Sequence, residues 1–346
     1  MAKYFIVILG LVGLVLFQGF RFLDATPSSD ESEARIEIPQ GASFREVTER
    51  LGAEGLISSR FSFRLLGKLT QSEAKIKPGE YRLHRAMRPM DLLNKLVRGE
   101  VLQYPIVIPE GLSSRQIAQI FDSAGLVKAD TFLQWVRDPD FIRTLGFEGD
   151  SLEGYLFPET YHFSKQAAPQ QIVTRIVGQF KAIYDAAFQE RAKELGMSQR
   201  EVVTLASIIE KETSAPQERR SVSAVFHNRL KINMRLQSDP TVIFSVDEFD
   251  GNLTRAHLFN DSPYNTYRVS GLPPGPIANP GREAIDAALY PEAIDYLYFV
   301  SKNNGTHYFS KTLEEHNAAV RKYQIERQQE AAVPTQDKKA DGSKRQ

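Results

Sequence analysis

The chain has 346 residues, with basic and acidic side chains balanced at 43 each and no cysteine. That length allows two or three domains with their own cores. The balanced charge gives no field to gather a polyanion, so no nucleic-acid partner is expected, and thiolate chemistry, disulfides and Cys-ligated metals are excluded.

From Tyr4 to Leu23 the sequence reads YFIVILGLVGLVLFQGFRFL, close to the ~20 residues with which an α-helix crosses a bilayer. Gln18-Gly19-Phe20-Arg21 stands where a signal peptide would end in small residues, so residues 1–23 are read as an uncleaved single-pass anchor. Lys3 before the span and Arg21 near its far end give a weak bias for a cytoplasmic N-terminus, with the bulk of the chain outside. Residues 24–34, DATPSSDESEA, are polar and acidic and read as a linker.

Two segments then match at an offset of 70: IEIPQGASFREVTERLGAEGLI from Ile36 and IVIPEGLSSRQIAQIFDSAGLV from Ile106. Each predicts a strand, a glycine turn, a serine-capped helix and a second glycine. Between them KIKPGEYRLHRAMRPMDLLNKLVRGE predicts a further strand, turn and helix with Met90, Leu92, Leu93 and Leu96 inward. Residues 35–150 are therefore read as one α+β module region with an internal repeat. The repeat resembles LysM, a small unit that binds N-acetylated glycans; chance likeness between strand-turn-helix units is the competing reading, because periodicity shows a shape and no ligand.

A second domain, over 151–327, opens with EGYLFPETYHF and a long amphipathic helix expected from Pro169 to Leu195, stopped by Gly196. Ser198 and Glu201 form a capping box, and the helix they start runs to Glu212. Leu205, Ile208, Ile209 and Glu212 follow the i, i+3, i+4, i+7 spacing of one face, with Lys211 opposite and Glu210 at the margin. Glutamates at helix ends ordinarily turn to solvent; this register sends one among aliphatic side chains. Burial there disfavours the ionised form, and a rise of about two units makes a carboxyl a proton donor near neutrality.

After Ala215-Pro216 a helix with Val222, Val225, Phe226 and Leu230 inward is expected, and Asp239-Pro240 starts another. SPYNTY at 262–267 precedes GLPPGPIANPG, too rich in Pro and Gly for a helix or central strand. Tyr264, Asn265 and Tyr267 combine amide and hydroxyl groups with aromatic faces, a set suited to a sugar, although the same residues could simply close a loop. Asn279-Pro280 is expected to cap a further helix, YLYFVS and HYFS to pair as a hairpin, and Thr312 to Glu315 to cap the last helix. Residues 328–346 read as a disordered tail. No GxSxG, Walker loop, HExxH or zinc spacing occurs, so neither a metal nor a cofactor is expected, and His307 and His316 read as structural or surface residues.

The runs LASIIEKET, VFHNRL, MRLQSDPTVI, SPYNTY, GLPPGPIANPG, YLYFVS, HYFS and a late EHN, in that order, resemble the YceG-like family of endolytic murein transglycosylases. The resemblance implies a single-pass inner-membrane protein with a LysM-like module and a mixed α/β catalytic domain in the periplasm. Its partners would be peptidoglycan glycan strands, which it would cut internally to leave 1,6-anhydro-N-acetylmuramic ends, and the synthases that elongate them. The family's essential glutamate falls on Glu212, the residue the helix register selects. Phe244-Ser245 departs from the Tyr-Gly that relatives commonly carry. On chemistry and resemblance together Gln237, Asp239, Tyr264, Asn265, Tyr267 and Glu153 are the candidate substrate-binding groups. Glu153, Glu159 and Asp239 are also the candidates for the second carboxylate that hydrolysis of the same bond would need. A muramidase and a membrane-tethered glycan-binding scaffold remain the alternatives.

Overall fold

The computed structural model describes residues 26–29, 31–247 and 249–326. It is α+β: fourteen α-helices among the described residues and three two-stranded sheets. The expected anchor at 1–23 and the expected tail at 328–346 lie outside the described residues, among which no helix is long and apolar enough to cross a membrane.

The described chain forms two compact units. The first comprises residues up to Ile106 with Phe121–Lys128 and Thr160–Ile172. Strand β1 (Glu33–Ile38) pairs antiparallel with β2 (Gly79–His84), placing Ile36 opposite Tyr81 and Ala34 opposite Leu83. Alternation sends Ile36, Ile38, Tyr81 and Leu83 to one face. Helices α1 (Phe44–Ala53), α2 (Arg60–Leu69) and α3 (Pro89–Arg98) cover that face with Val47, Leu51, Phe63, Leu66, Leu92, Leu93 and Leu96. Helix α2 sits so close that a methyl on Gly67 would meet the ring of Phe44, which itself stacks on Phe63 at 5.8 Å. Only glycine leaves room for that approach.

The two repeats have the same local geometry. Ser43 accepts from the Glu46 amide while Glu46 returns to the Ser43 amide, and Ser113 and Gln116 repeat the exchange. Gly41 and Gly111 take the left-handed conformation at the turn, Gly55 and Gly125 at the helix end. The strands differ in partner: β3 (Tyr104–Val107) pairs with the distant β4 (Thr160–Phe163).

The second unit comprises Val107–Ile120, Ala129–Glu159 and the residues from Val173 on. After α4 (Ser114–Ser123), α5 (Ala129–Val136) and α6 (Pro139–Thr144), the long helix expected over 169–195 is instead two, α7 (Pro169–Ile183) and α8 (Ala186–Glu194). Asp185 breaks it by accepting from the amides of Ala187 and Phe188, as an N-cap. Gly196 ends α8 in the left-handed conformation as expected.

Helix α9 (Gln199–Glu212) begins at the expected capping box, with Ser198 and Glu201 bonded in both directions. It is buried on more than one face: Val202 to Ile209 are all inaccessible, because α9 is the central helix, packed by α8, α10 (Arg219–Lys231), α11 (Asp239–Phe244) and α13 (Arg282–Leu289). In α10 the inward position expected for Leu230 is only half-buried, and Arg229 is buried beside it. Asn279 does not cap α13; Gly281 holds that position without a side-chain bond. The Asn279 amide is taken up elsewhere, by the Leu156 amide and the Leu112 carbonyl. Strands β5 (Tyr298–Ser301) and β6 (His307–Ser310) form the expected hairpin, and Thr312 and Glu315 cap α14 (Leu313–Val320). A four-residue helix, α12 (Arg255–Leu258), lies in the loop before Ser262.

Candidate active site

Glu212, the last residue of α9, lines a cavity of about 370 Å³ with Arg229, Gln237, Asp239, Tyr267, Tyr298 and His316. Its side chain is partly buried. Burial pushes its pKa up to about 7, with the nearby Asp239 carboxylate adding to the rise; the Ser238 hydroxyl and the Arg229 guanidinium pull the other way. The Ser238 Oγ–H donates to Glu212 Oε1, which leaves the other carboxyl oxygen to carry a proton.

Ser238 stands at the N-cap of α11, where a serine ordinarily accepts from the helix's own amides, yet it makes no such bond. Its backbone is fixed by Thr266: the Ser238 amide donates to Thr266 Oγ1 at 3.0 Å and the Gln237 amide to the Thr266 carbonyl at 3.1 Å. Thr241 Oγ1 completes the buried cluster at 2.8 Å from Thr266 Oγ1. Gln237 pays for the turn with a left-handed φ of 51°, strained for a residue with a Cβ. That turn sets Gln237 on the wall and Ser238 under Glu212.

Asp239 accepts from the Tyr267 hydroxyl at 2.6 Å. Burial and that carboxylate hold the phenol well above its usual range, so Tyr267 stays protonated. Arg229 is buried, and its guanidinium donates to the carbonyls of Leu297 (2.7 Å) and Leu236 (2.6 Å). It lies 5.5 Å from the Tyr298 ring centre. His316, on α14, stacks on the same Tyr298 ring at 5.2 Å; its buried Nδ1 has no hydrogen-bond partner among the described residues. Tyr267 is shared with a second cavity of about 590 Å³, lined by Arg235, Arg255, Leu258, Phe259 and Arg268.

Of the residues singled out from the sequence, Glu212, Gln237, Asp239 and Tyr267 come together on one cavity. Tyr264 does not line it and packs on Phe244, the residue of the family departure, at 5.0 Å. Asn265 is fully buried: its amide donates to the carbonyls of Leu258 and Asn260, and its oxygen accepts from the Tyr267 amide. It shapes the loop that presents Tyr267. Glu153 is buried away from the cavity lining, accepting from the Ser114 amide and hydroxyl and from Asn279. Glu159 is exposed.

Ser238, Arg229, Tyr298 and Thr266 are not marked as site residues by the sequence, and His316, expected to be structural or at the surface, lines the cavity. Ser238 precedes the expected Asp239-Pro240 helix start and Arg229 the expected inward Leu230, and neither carries a local pattern of its own. His316 carried the one available signal, the late EHN run. Among the described residues no cluster of His, Asp and Glu could hold a metal ion.

The sequence profile of the YceG-like family matches residues 36–322. A Bacillus subtilis protein named endolytic murein transglycosylase is 33% identical over 329 residues, covering 90% of this chain and 91% of that one. A Streptococcus pneumoniae protein of the same name is 28% identical, covering 91% of this chain and 64% of its own. The crystal structure of a yceG-like protein from Listeria monocytogenes is 35% identical, with a TM-score of 0.58, and the match covers 83% of this chain and 98% of that one. With its profile spanning the described fold and Glu212 lying inside that span, the chain belongs to the YceG-like family.

Proposed function

We propose that this protein is an endolytic peptidoglycan lytic transglycosylase in which Glu212 is both acid and base. The observation that carries the reading is a partly buried carboxyl on the wall of a cavity shared with Gln237, Asp239 and Tyr267, its pKa raised to about 7, the property a general acid needs near neutrality. Protonated Glu212 donates to the glycosidic oxygen between N-acetylmuramic acid and N-acetylglucosamine, and the C1–O bond breaks. The resulting carboxylate takes the proton of the muramyl 6-hydroxyl as that oxygen bonds to C1. Water is not consumed, and the glutamate ends as it began. Gln237, Asp239 and Tyr267 are assigned to holding the sugars, through hydroxyl and amide contacts at the cavity wall.

The name carried by the Bacillus and Streptococcus relatives supports this activity. The second cavity beyond Tyr267, with Phe259 exposed at its edge, supports internal cutting, since a strand that continues past the cleavage point needs room on both sides. The reading extends to an anchor at residues 1–23, a catalytic unit outside the cytoplasm and a LysM-like glycan-holding role for the strand-turn-helix module. It places the enzyme beside the synthases that produce the strands.

Asp239 on the same cavity favours one second reading, hydrolysis of the same bond with a carboxylate-activated water. Mass spectrometry of the ends released from purified sacculi separates the two. Anhydro ends from the wild-type protein and none from Glu212→Gln support the transglycosylase; reducing ends establish the hydrolase, and wild-type release by Glu212→Gln removes Glu212 from the chemistry.

A further inference from the structure

Helix α2 presents an apolar row that nothing among the described residues covers. Phe61, Leu65 and Leu69 are 72, 48 and 74% exposed and follow i, i+4, i+8 spacing, so they share one side of the helix. The opposite side, Phe63, Leu66 and Gly67, is the one packed on the module's core. Next to the apolar row runs a basic one, Arg60, Arg64 and Lys68, and the segment RFSFRLLGKL has no acidic residue. A large apolar row edged by cations on an otherwise well-packed module is the pattern of a helix that lies in a membrane interface.

The path of the chain brings this helix to such a surface. Ser28 is already fixed on the module, its amide donating to the Arg85 carbonyl at 3.3 Å. Leu23, the end of the apolar run read above as a membrane span, lies five residues earlier, a reach of at most about 18 Å. Arg85 in turn donates to the carbonyl of Glu54, at the end of α1. The same end of α1 carries Gly52, against which the Arg60 side chain packs at the start of α2. Ser28, Arg85, the end of α1 and the start of α2 thus form one corner of the module, held within a short tether of the bilayer. At that distance seating α2 is an intramolecular event, which even weak surface affinity can drive.

We propose that α2 is a second membrane contact: Phe61, Leu65 and Leu69 enter the boundary between headgroups and acyl chains, with Arg64 and Lys68 against anionic lipid phosphates. The proposal rests on reading Tyr4–Leu23 as a span, and it sets the module's orientation on the membrane.

The chain has no cysteine, so Leu65→Cys in the full chain takes a single spin label, with Leu69→Cys as a second site should the first disturb folding. Reconstituted in mixed phosphatidylglycerol and phosphatidylcholine vesicles, the label is expected to be open to oxygen and protected from an aqueous nickel chelate. Adding Arg64→Gln with Lys68→Gln should lower the seated-to-lifted ratio roughly 25-fold. A label reached freely by the nickel chelate overturns the proposal, and one shielded from both reagents overturns it in favour of a protein cover. A chain that fails to float with the vesicles removes the span reading itself, an outcome distinct from a floating chain whose label stays in water.

Discussion

The hydroxyl of Ser238 donates to Glu212 instead of capping its own helix. Two effects on the glutamate therefore oppose each other: burial raises its pKa and the Ser238 bond lowers it, with burial the larger. Ser238→Ala should move the alkaline limb of the pH–rate profile upward, because it removes a lowering contact. The lost bond should cost about 1 kcal/mol of stability, without the loss that removing a true helix cap would add. A limb that stays in place would show that Ser238 serves the fold alone.

Glu212 also links activity and stability to pH in a definite direction. Its folded pKa, about 7, lies above the unfolded carboxylate value, so the folded state binds the proton more tightly. The stability from this group is fully present below the unfolded pKa and is lost as pH rises through about 7. Glu212→Gln should therefore unfold at a higher temperature than wild type at alkaline pH, by roughly 3 kcal/mol in stability, with the difference closing in acid. Its activity should fall on the order of 10²- to 10⁴-fold. Thermal melts across pH, read with product analysis, check both.

Asp239 and Arg229 act on the same proton with opposite signs. Asp239→Asn removes a neighbouring negative charge and should bring the alkaline limb to lower pH, with little change in stability because the side chain is exposed. Arg229→Gln removes a positive charge and should push the limb to higher pH. It should also destabilise by about 2–3 kcal/mol, since the carbonyls of Leu236 and Leu297 lose a buried donor. Limbs that move together would rule out electrostatic control of Glu212.

Glu153 and Asn265 should separate from the chemistry altogether. Glu153→Gln puts a donor where three donors converge and should cost about 1–3 kcal/mol while the pH profile keeps its shape. Asn265→Ala should cost a similar amount and reduce activity only through displacement of Tyr267, whose amide Asn265 holds. An Asn265→Ala protein with full stability and no binding would return that residue to the sugar.

What the sequence made legible was local. The Ser198–Glu201 box and the Asp239 helix start are written within one or two turns of chain, and the structure has both in place; the spacing is a weaker guide to the carboxyls, since Glu212 is only partly buried on the cavity wall while the side chain of Glu210, expected at the margin, is buried against Arg219. The break at Asp185 was written locally too, in a capping residue inside an otherwise continuous apolar pattern. The roles of Asn279, Glu153 and Arg229 were not legible, because each is bonded to a partner far along the chain: Glu153 to Ser114 at a separation of 39, Arg229 to Leu297 at 68, and Asn279 to Glu153 at 126. A polar residue's duty depends on who arrives from elsewhere in the chain. Local pattern can find the acid but not the groups that adjust it.

Just past the end of α9, Arg219 draws together three carboxylates from separate stretches of chain, Glu110, Glu210 and Glu283. Glu210 also accepts from the Gly281 amide at 3.0 Å, two residues before Glu212. Helix ends ordinarily fray in advance of the rest of a protein; this one is riveted across the molecule, so its closing turn opens only when those distant stretches let go. Amide exchange at Lys211 to Thr213 should then be as slow as in the helix's middle. A proton donor mounted on such a turn keeps its aim between one encounter with a glycan and the next.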